Sequence, residues 1–179
     1  KLGELGFLGV VFPEEYGGMD MDTVATSVVG ERLAFYWPSL QLIWSANVSL
    51  AGFPIMSFGT KEQKTKYLTK LISGEWAGAF AATEPEAGTD LYGAKTKAVL
   101  SEDGKSYILN GNKTFISNSG FAGLFTVLAK VDGDPKKSAC FLVERNTPGL
   151  TIGKEESKLG ILGSSTCPLN LMDVKVPVE

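Results

Sequence analysis

The sequence contains no histidine. This absence excludes Ser–His and Cys–His nucleophilic pairs, zinc sites that include histidine, and histidine general bases. Any catalysis must therefore use carboxylates, hydroxyls, backbone dipoles or a cofactor, and we predict no metal site.

Cysteine is also scarce, because Cys140 and Cys167 are the only two in 179 residues. They show neither CxxC nor metal-ligand spacing, and a chain of this size does not need a disulfide to hold its core. We therefore expect each to be a buried free thiol.

Long apolar runs and an excess of positive charge are missing as well. The longest nearly unbroken apolar run, residues 121–129, is far shorter than the roughly 20 residues of a spanning helix. The net charge of −3 argues against nucleic acid as the main ligand. A hydrophobic content of 44% is ordinary for a globular core.

The first 75 residues have helical patterns. Apolar residues at i, i+4 spacing predict an amphipathic helix over residues 22–35 that Pro38 ends. Ser39 is the expected N-cap of a second helix, which runs towards Pro54, and residues 60–63 fit a capping box for a third helix that stops at Gly74.

From residue 76 onwards, short β-rich runs alternate with turn residues, which predicts about seven strands. Residues 102–104 are turn-like, and the dipeptide Asn110-Gly111 predicts a tight hairpin. We therefore predict an α+β fold with a helical domain (residues 1–75) followed by a β-barrel or sandwich-like domain (residues 76–179).

Two segments carry the chemistry: residues 80–90 (FAATEPEAGTD) and residues 113–118 (KTFISN). The first places hydroxyls, small residues and a glycine after an apolar run, so its backbone N–H groups could approach a ligand closely. The second combines an aromatic ring with a hydroxyl. Together they could hold a flat, polar cofactor.

These segments resemble the flavin-binding signature of acyl-CoA dehydrogenases, aromatic-x-x-Thr-Glu-Pro-x-Ala-Gly-Ser-Asp followed by Lys-x-Trp-Ile-Thr-Asn. Residues 8–18 (LGVVFPEEYGG), 58–64 (FGTKEQK) and 173–177 (DVKVP) resemble further segments of that family. The resemblance covers practically the whole chain.

The resemblance implies FAD as the cofactor. Thr83 would offer its hydroxyl and N–H to the flavin pyrimidine edge, Phe115 would pack on the isoalloxazine ring, and Ser117 would face flavin N5 and O4. Thr89, where serine is more usual, would serve the pyrophosphate and a substrate carbonyl. The remaining matching positions that border the cofactor are Phe80, Ala82, Gly88 and Ile116. Glu84 and Asp90 are expected to have structural roles.

Two features concern the substrate. Trp44, Asn47 and Leu50 lie about one helical turn apart, so they could share a face that walls the acyl pocket, or they could simply pack between helices. The loop at residues 162–168 lacks the arginine and aspartate that many acyl-CoA dehydrogenases have there.

The resemblance implies α,β-dehydrogenation of an acyl-CoA thioester, with hydride passing from the β-carbon to flavin N5. The base in this family is usually a glutamate in a C-terminal helical domain. We therefore expect no catalytic residue in this chain, which we interpret as a piece of a longer protein. Alone, it is predicted to bind FAD weakly and not to dehydrogenate acyl-CoA.

By the same resemblance, electron-transfer flavoprotein is the expected oxidant, and the full-length protein is expected to be a homotetramer or dimer of fatty acid β-oxidation. The bacterial cytoplasm and the mitochondrial matrix both suit it. Three alternatives stay open: an acyl-CoA oxidase, a dehydrogenase of carrier-protein thioesters, and a non-catalytic flavin- or nucleic-acid-binding relative.

Overall fold

The computed structural model describes residues 1–132, 134 and 137–178. Its α-helices all lie before residue 75, as predicted, and 3₁₀ turns occur at Glu14–Tyr16 and Leu91–Gly93. The helices are α1 (Thr23–Tyr36), α2 (Pro38–Ser45), α3 (Phe53–Phe58), α4 (Lys61–Gln63) and α5 (Thr69–Ser73), with π-helical segments at Ala46–Gly52 and Lys64–Leu68.

Helix α1 begins and ends where the sequence predicts. Asp22 caps its start by accepting the Ala25 N–H at 2.9 Å, and the helix stops just before Pro38. The predicted amphipathic character is confirmed in part, because Val29 and Leu33 are half-buried against the apolar core among the helices, whereas Val24 and Val28 are exposed and no residue of α1 is fully buried. Its main packing partner is α2, which covers only part of its surface.

The second helix starts two residues earlier than predicted, and Ser39 is not its N-cap. Trp37 occupies the cap position without a side-chain hydrogen bond, and the Ser39 hydroxyl instead accepts the Gly163 N–H at 3.2 Å. The helix passes through Ala46–Gly52 into α3, where Pro54 lies in the first turn, the position at which a missing N–H is tolerated.

The capping box of the third helix is confirmed. The Thr60 hydroxyl accepts the Gln63 N–H at 3.2 Å, and the Gln63 side-chain oxygen accepts the Thr60 N–H at 3.0 Å. Gly74 follows α5 with a φ of 78°, a left-handed conformation in which a glycine can end a helix without steric cost. The helix therefore stops where the sequence predicts.

The β part is a curled mixed sheet of seven strands, and the fold is α+β as predicted. The strands are β1 (Gly78–Ala81), β2 (Lys97–Leu100), β3 (Ser106–Ser117), β4 (Leu124–Val131), β5 (Ser138–Glu144), β6 (Leu150–Ile152) and β7 (Thr166–Pro177). One edge of β4 pairs in parallel with β1 and β2, and its other edge pairs with β5. The antiparallel neighbours β2, β3, β7 and β6 continue the sheet.

The predicted hairpin at Asn110-Gly111 is wrong, because both residues lie inside β3. The register with β7 shifts between Leu109 and Gly111, so the dipeptide marks a bulge and not a turn. Glycine is needed there because a Cβ would lie 2.4 Å from the Thr96 hydroxyl oxygen. The turn predicted at residues 102–104 does connect β2 with β3.

Two apolar clusters form the core, one within the sheet and one among the helices. Leu124 of β4 belongs to the helical cluster, and the Thr126 hydroxyl donates to the Ala51 carbonyl at 3.1 Å. The start of β4 is thus packed against the helical part. Cys167 is buried and free as predicted, but Cys140 is exposed, which corrects the expectation of two buried thiols.

None of the described helices combines the length and the apolar character needed to cross a bilayer.

Candidate functional site

The two motif segments are neighbours in space. The Thr114 N–H donates to the Thr83 carbonyl at 3.0 Å, and the Lys113 ammonium donates to the Ala82 carbonyl at 3.0 Å. These bonds fix the loop after β1 against the last residues of β3. The structure therefore places Ala82 and Thr83 of the first motif against the start of the second motif.

Phe115 breaks the regular geometry of β3. Its φ is +57°, and the register with β7 shifts between Lys113 and Ile116. A bulky residue with positive φ is a genuine outlier, and such strain persists only where the surroundings enforce it. The side chain is 64% exposed, so its ring is not a core residue and leaves a flat apolar face uncovered.

The hydroxyl groups of the motif are available as hydrogen-bond partners. Thr89 is exposed, while Thr83 and Ser117 are half-buried. Within the described residues, none of these three side chains makes a hydrogen bond, and the Thr83 N–H has no partner either. Gly88 is exposed, and a Cβ there would meet nothing within 4 Å, so a ligand has room to approach this loop.

The other predicted cofactor residues face the sheet more than the solvent. Phe80 and Ala82 are half-buried, and Ile116 is only 2% exposed within the sheet core. Ile116 could therefore contact a ligand through its backbone and not through its side chain. Sequence reasoning could not separate these cases, because it does not show which face of the bulged strand is covered.

Glu84 and Lys113 form a buried ion pair beside Thr83. Their side chains are 5% and 0% exposed, and Lys113 Nζ lies 2.8 Å from Glu84 Oε1. The Glu84 carboxylate also accepts the N–H groups of Lys95 at 2.5 Å and Thr96 at 3.0 Å. The structural role predicted for Glu84 is confirmed, whereas the Asp90 side chain, for which a structural role was also expected, does not cap the turn Leu91–Gly93 that follows it.

The electrostatic state of this pair follows from its surroundings. Burial raises the pKa of the Glu84 carboxyl, but the hydrogen bonds from Lys113 and from the Lys95 and Thr96 N–H groups outweigh it, so the pKa lies below its ordinary value. Burial lowers the pKa of the Lys113 ammonium, and Glu84 offsets that effect only in part.

Sequence reasoning missed the role of Lys113, although a signal was present. Lys113 follows Leu109 and Gly111 at the alternating positions of β3, and Leu109 points into the sheet core. A lysine at an inward position requires a buried partner. Glu84, in the first motif, was the obvious candidate for that partner.

Asn118, the last residue of the second motif, was also missed. Its φ is +67°, and its side-chain N–H groups donate to the carbonyls of Ile43 in α2 at 2.9 Å and Gly78 in β1 at 3.0 Å. It thus joins the helical part, β1 and the end of β3 beside Ser117. Its amide oxygen is buried without a partner among the described residues.

The loop at residues 162–168 is held by charges that lie earlier in the chain. The Glu155 carboxylate accepts the Thr166 N–H at 2.6 Å and the Ser165 hydroxyl at 2.9 Å. The Thr166 N–H is the main reason that the pKa of Glu155 lies below its ordinary value. Lys158 contacts the Ser164 carbonyl and the Thr166 hydroxyl. These contacts order the loop without the arginine and aspartate that the sequence lacks there.

The predicted substrate wall does not share one face. The Trp44 ring N–H donates to the Phe7 carbonyl at 2.7 Å, and Asn47 binds the Leu71 carbonyl and the Gly78 N–H. Both side chains are buried, whereas Leu50 is 46% exposed. The π-helical segment is wider than an α-helix, so a spacing of three residues no longer keeps them aligned.

A groove of about 1000 Å³ lies elsewhere, between α3, α4 and strands β4 and β5. It contains none of the predicted cofactor or substrate residues. Of the predicted cofactor residues, Phe115, Gly88 and Thr89 are exposed, Ile116 is buried, and the others are half-buried.

Known proteins and family models match this chain along its length. Two family models match: "Acyl-CoA dehydrogenase, N-terminal domain" over residues 1–75 and "Acyl-CoA dehydrogenase, middle domain" over residues 79–174. A probable acyl-CoA dehydrogenase of Bacillus subtilis is 49% identical over 179 residues, which are 100% of this chain and 30% of that relative.

Other curated relatives, several named short-chain specific acyl-CoA dehydrogenases, are 40% to 43% identical. This chain covers 43% to 48% of the length of those proteins. It therefore spans less than half the length of the curated relatives that it matches.

Solved structures agree closely with the fold. An acyl-CoA dehydrogenase of Bacillus anthracis complexed with FAD superimposes with a TM-score of 0.93 at 44% identity, covering 99% of this chain and 30% of that one. A chain solved in work on the electron transferring flavoprotein of Acidaminococcus fermentans gives 0.93 at 43% identity, over 98% of this chain and 46% of that one. The prolyl acyl carrier protein oxidase AnaB gives 0.92 at 35% identity, over 99% and 47%.

Proposed function

This chain belongs to the acyl-CoA dehydrogenase family, and we propose that the full-length protein of which it forms part uses FAD to dehydrogenate an acyl-CoA thioester between its α- and β-carbons. The observation that carries this proposal is the arrangement around Thr83, Phe115 and Ser117. An uncovered aromatic face and two hydroxyl groups without a hydrogen-bond partner among the described residues lie on segments that are hydrogen-bonded to each other. A flat, polar ring system can stack on the aromatic face and accept hydrogen bonds from the hydroxyl groups at its edge.

The residues present fit FAD. Thr83 would donate its free N–H and its hydroxyl to the flavin pyrimidine edge, Ser117 would donate near N5 and O4, and Phe115 would pack on the ring. Thr89 would serve the pyrophosphate and a thioester carbonyl, while Gly88 leaves room for both. When bound, FAD supplies the acceptor for the substrate hydride.

The positions of Phe80, Ala82 and Ile116 support backbone contacts at the border of the ring. Donors that are fixed before reaction stabilise developing negative charge without reorganisation. The bonds that lock residues 82–84 to residues 113–114 supply this fixation.

The general base is proposed to be a glutamate outside this chain. Two carboxylates near the site, Glu84 and Glu155, are already engaged in ion pairing and in backbone hydrogen bonds. The lowered pKa of each makes it a poor proton acceptor at neutral pH. We expect the isolated 179-residue chain to show no turnover, because the proposed base lies outside it. We also expect it to bind FAD weakly, because the C-terminal helices that the family resemblance implies would cover one side of the flavin only in the full-length protein.

Partners and context follow from the relatives. We propose electron-transfer flavoprotein as the oxidant, a homotetramer or dimer as the assembly, and fatty acid β-oxidation as the process. Relatives occur in bacteria and in mitochondria, so the bacterial cytoplasm and the mitochondrial matrix are the proposed compartments. Trp44, Asn47 and Leu50 remain predicted substrate residues, with Trp44 and Asn47 already engaged in structural contacts.

A second candidate is an oxidase or dehydrogenase of carrier-protein thioesters. The similarity to the prolyl acyl carrier protein oxidase supports this candidate, because the fold of this chain matches that structure almost as well as it matches the acyl-CoA dehydrogenase complexed with FAD. The two functions differ in the carrier of the acyl group and in the use of oxygen. An acyl-CoA oxidase and a non-catalytic flavin-binding relative remain further alternatives.

The test is a visible absorption spectrum of the purified full-length protein, repeated anaerobically with a panel of acyl-CoA thioesters. We expect an oxidised flavin spectrum that at least one thioester bleaches. A flavin that no acyl-CoA bleaches, but that an acyl carrier protein thioester does, would favour the second candidate. A protein that takes up no flavin even when FAD is added would contradict both.

A further inference from the structure

The peptide group between Ala82 and Thr83 is bonded on one side only. Its carbonyl oxygen accepts a hydrogen bond from the Lys113 ammonium at 3.0 Å, and its N–H, which belongs to Thr83, has no partner among the described residues. We propose that Lys113 is a positioning residue that polarises this peptide group and so strengthens the Thr83 N–H as a donor to the flavin. The proposal rests on the cofactor role proposed for Thr83.

The physical link runs through one amide. A positively charged donor on the carbonyl oxygen draws electron density towards that oxygen and leaves the N–H of the same amide more positive. Charge-assisted bonds are roughly twice as strong as neutral ones, and linked hydrogen bonds strengthen each other by about 10–30%. Because the Lys113 side chain is 0% exposed, solvent does not screen this effect.

Glu84 makes the arrangement possible. An ammonium group buried alone would lose its charge, and the carboxylate 2.8 Å away holds it. The N–H groups of Lys95 and Thr96 fix the carboxylate in turn. The pair thus aims a fixed positive charge at one carbonyl while adding no net charge to the site.

Stability alone does not account for this pair. Replacing a buried ion pair with apolar residues of similar volume is often neutral or stabilising. The pair nevertheless lies one residue from the free donor of the site, and one of its few hydrogen bonds goes to that donor's own peptide group. A role in setting the strength of the Thr83 N–H as a donor explains why the chain has a buried ion pair here and why Lys113 bonds to this peptide group.

The experiment compares Lys113→Met with Lys66→Met in the full-length protein. Lys66 forms an ion pair with Glu144 at the same 2.8 Å, but those side chains are 57% and 40% exposed. In Lys113→Met we expect FAD to bind about threefold to tenfold more weakly, because the Thr83 N–H loses its charge-assisted polarisation but is still present as an ordinary donor. The reduction potential of bound flavin should become more negative, and Lys66→Met should change neither quantity.

If Lys113 had only a structural role, Lys113→Met would lower stability without changing the FAD affinity or the flavin potential. If Lys113 polarises the peptide group, the Thr83 amide proton resonance of the apo-protein should move upfield in Lys113→Met and stay in place in Lys66→Met. If the variant folds and binds FAD with unchanged affinity, potential and Thr83 resonance, the proposal is overturned. The apo-protein readout also separates the proposal from the cofactor assignment, because it needs no FAD.

Two further measurements cover a variant that does not fold. The double substitution Lys113→Met with Glu84→Gln removes both charges, and we expect it to fold and to show the same shifts. In the wild-type protein, the Ala82 carbonyl carbon should resonate downfield of alanines with neutral hydrogen bonds. An ordinary resonance there would overturn the proposal without any variant.

Discussion

Two lysine–glutamate pairs in this chain have the same length and different surroundings. Lys113 and Glu84 lie 2.8 Å apart beside the candidate site with side chains 0% and 5% exposed, and Lys66 and Glu144 lie 2.8 Å apart on the surface. Solvent screens the second pair and cannot reach the first. Distance alone therefore says little about what an ion pair does.

The contrast extends to the regions around the two pairs. Near the buried pair, Phe115 has a positive φ and Asn118 has a buried amide oxygen without a partner in the described residues. Around the surface pair, the capping box and the pairing of β4 with β5 are regular, although Lys66 itself lies in the π-helical segment Lys64–Leu68. The candidate site differs in combining a strained backbone with an unsatisfied buried amide beside a buried ion pair.

The largest effect on stability is expected when one partner of an ion pair is removed. Glu84→Ala leaves a buried ammonium without its carboxylate, and we expect it to lower the free energy of unfolding by about 3–5 kcal/mol. Glu144→Ala should lower it by no more than about 1 kcal/mol. Denaturant unfolding of both variants checks this, and equal losses would contradict the contrast.

A smaller loss is expected at Asn118. Asn118→Gly keeps the left-handed conformation but removes two buried hydrogen bonds, so it should lower the free energy of unfolding by about 2–3 kcal/mol. Asn110→Gly is the matched control, because Asn110 makes two hydrogen bonds with exposed Asp173. Its loss should stay near 1 kcal/mol, mostly from strand glycine entropy. A larger loss at Asn110 would refute the role of Asn118.

The buried pair also predicts a pH dependence. The folded pKa of Glu84 is lowered, so the unfolded chain binds more protons in the acidic range and stability rises with pH there. The contribution is present above the unfolded pKa and is lost as pH falls through the folded pKa. Denaturant unfolding across this range should show a steeper dependence in the wild type than in Glu84→Gln. Parallel curves would show that Glu84 does not contribute.

The smallest stability effect, with the opposite sign, is expected at Phe115. Phe115→Gly relieves the positive φ and removes a largely exposed ring, so the unfolding free energy of the apo-protein should rise by up to about 1 kcal/mol. FAD binding should weaken because the stacking face is gone. Thermal unfolding and an FAD titration of the same sample measure both, and a variant that is less stable but binds FAD normally would contradict this account.

The sequence predicted most of the helical boundaries because their signals are local. Asp22, Thr60 and Gly74 act within one turn of themselves, and the structure places each where the pattern did. Asn110-Gly111 failed because the same dipeptide serves a hairpin or a bulge. Only the long pairing of β3 with β7 decides between them, and that pairing is not local.

The sequence named the members of the candidate site, whose roles stay predictions, but not the residues that support them. The family signature contains Thr83, Phe115 and Ser117, whereas the contacts of Lys113 and Asn118 join residues 29 to 75 positions apart. Leu50 does not share the buried face of Trp44 and Asn47, because the winding changes from α- to π-helical before it, and its substrate role stays a prediction. No short-range pattern in the sequence announces that change.

The most direct test of the central claim is an FAD titration of the full-length apo-protein with Thr83→Val and Thr147→Val. Thr147 is a half-buried threonine whose hydroxyl makes no hydrogen bond within the described residues, so it matches Thr83 away from the site. This account predicts that wild type and Thr147→Val bind FAD alike and that Thr83→Val binds it more weakly. Equal affinity in all three proteins would contradict the assignment of this loop to the flavin.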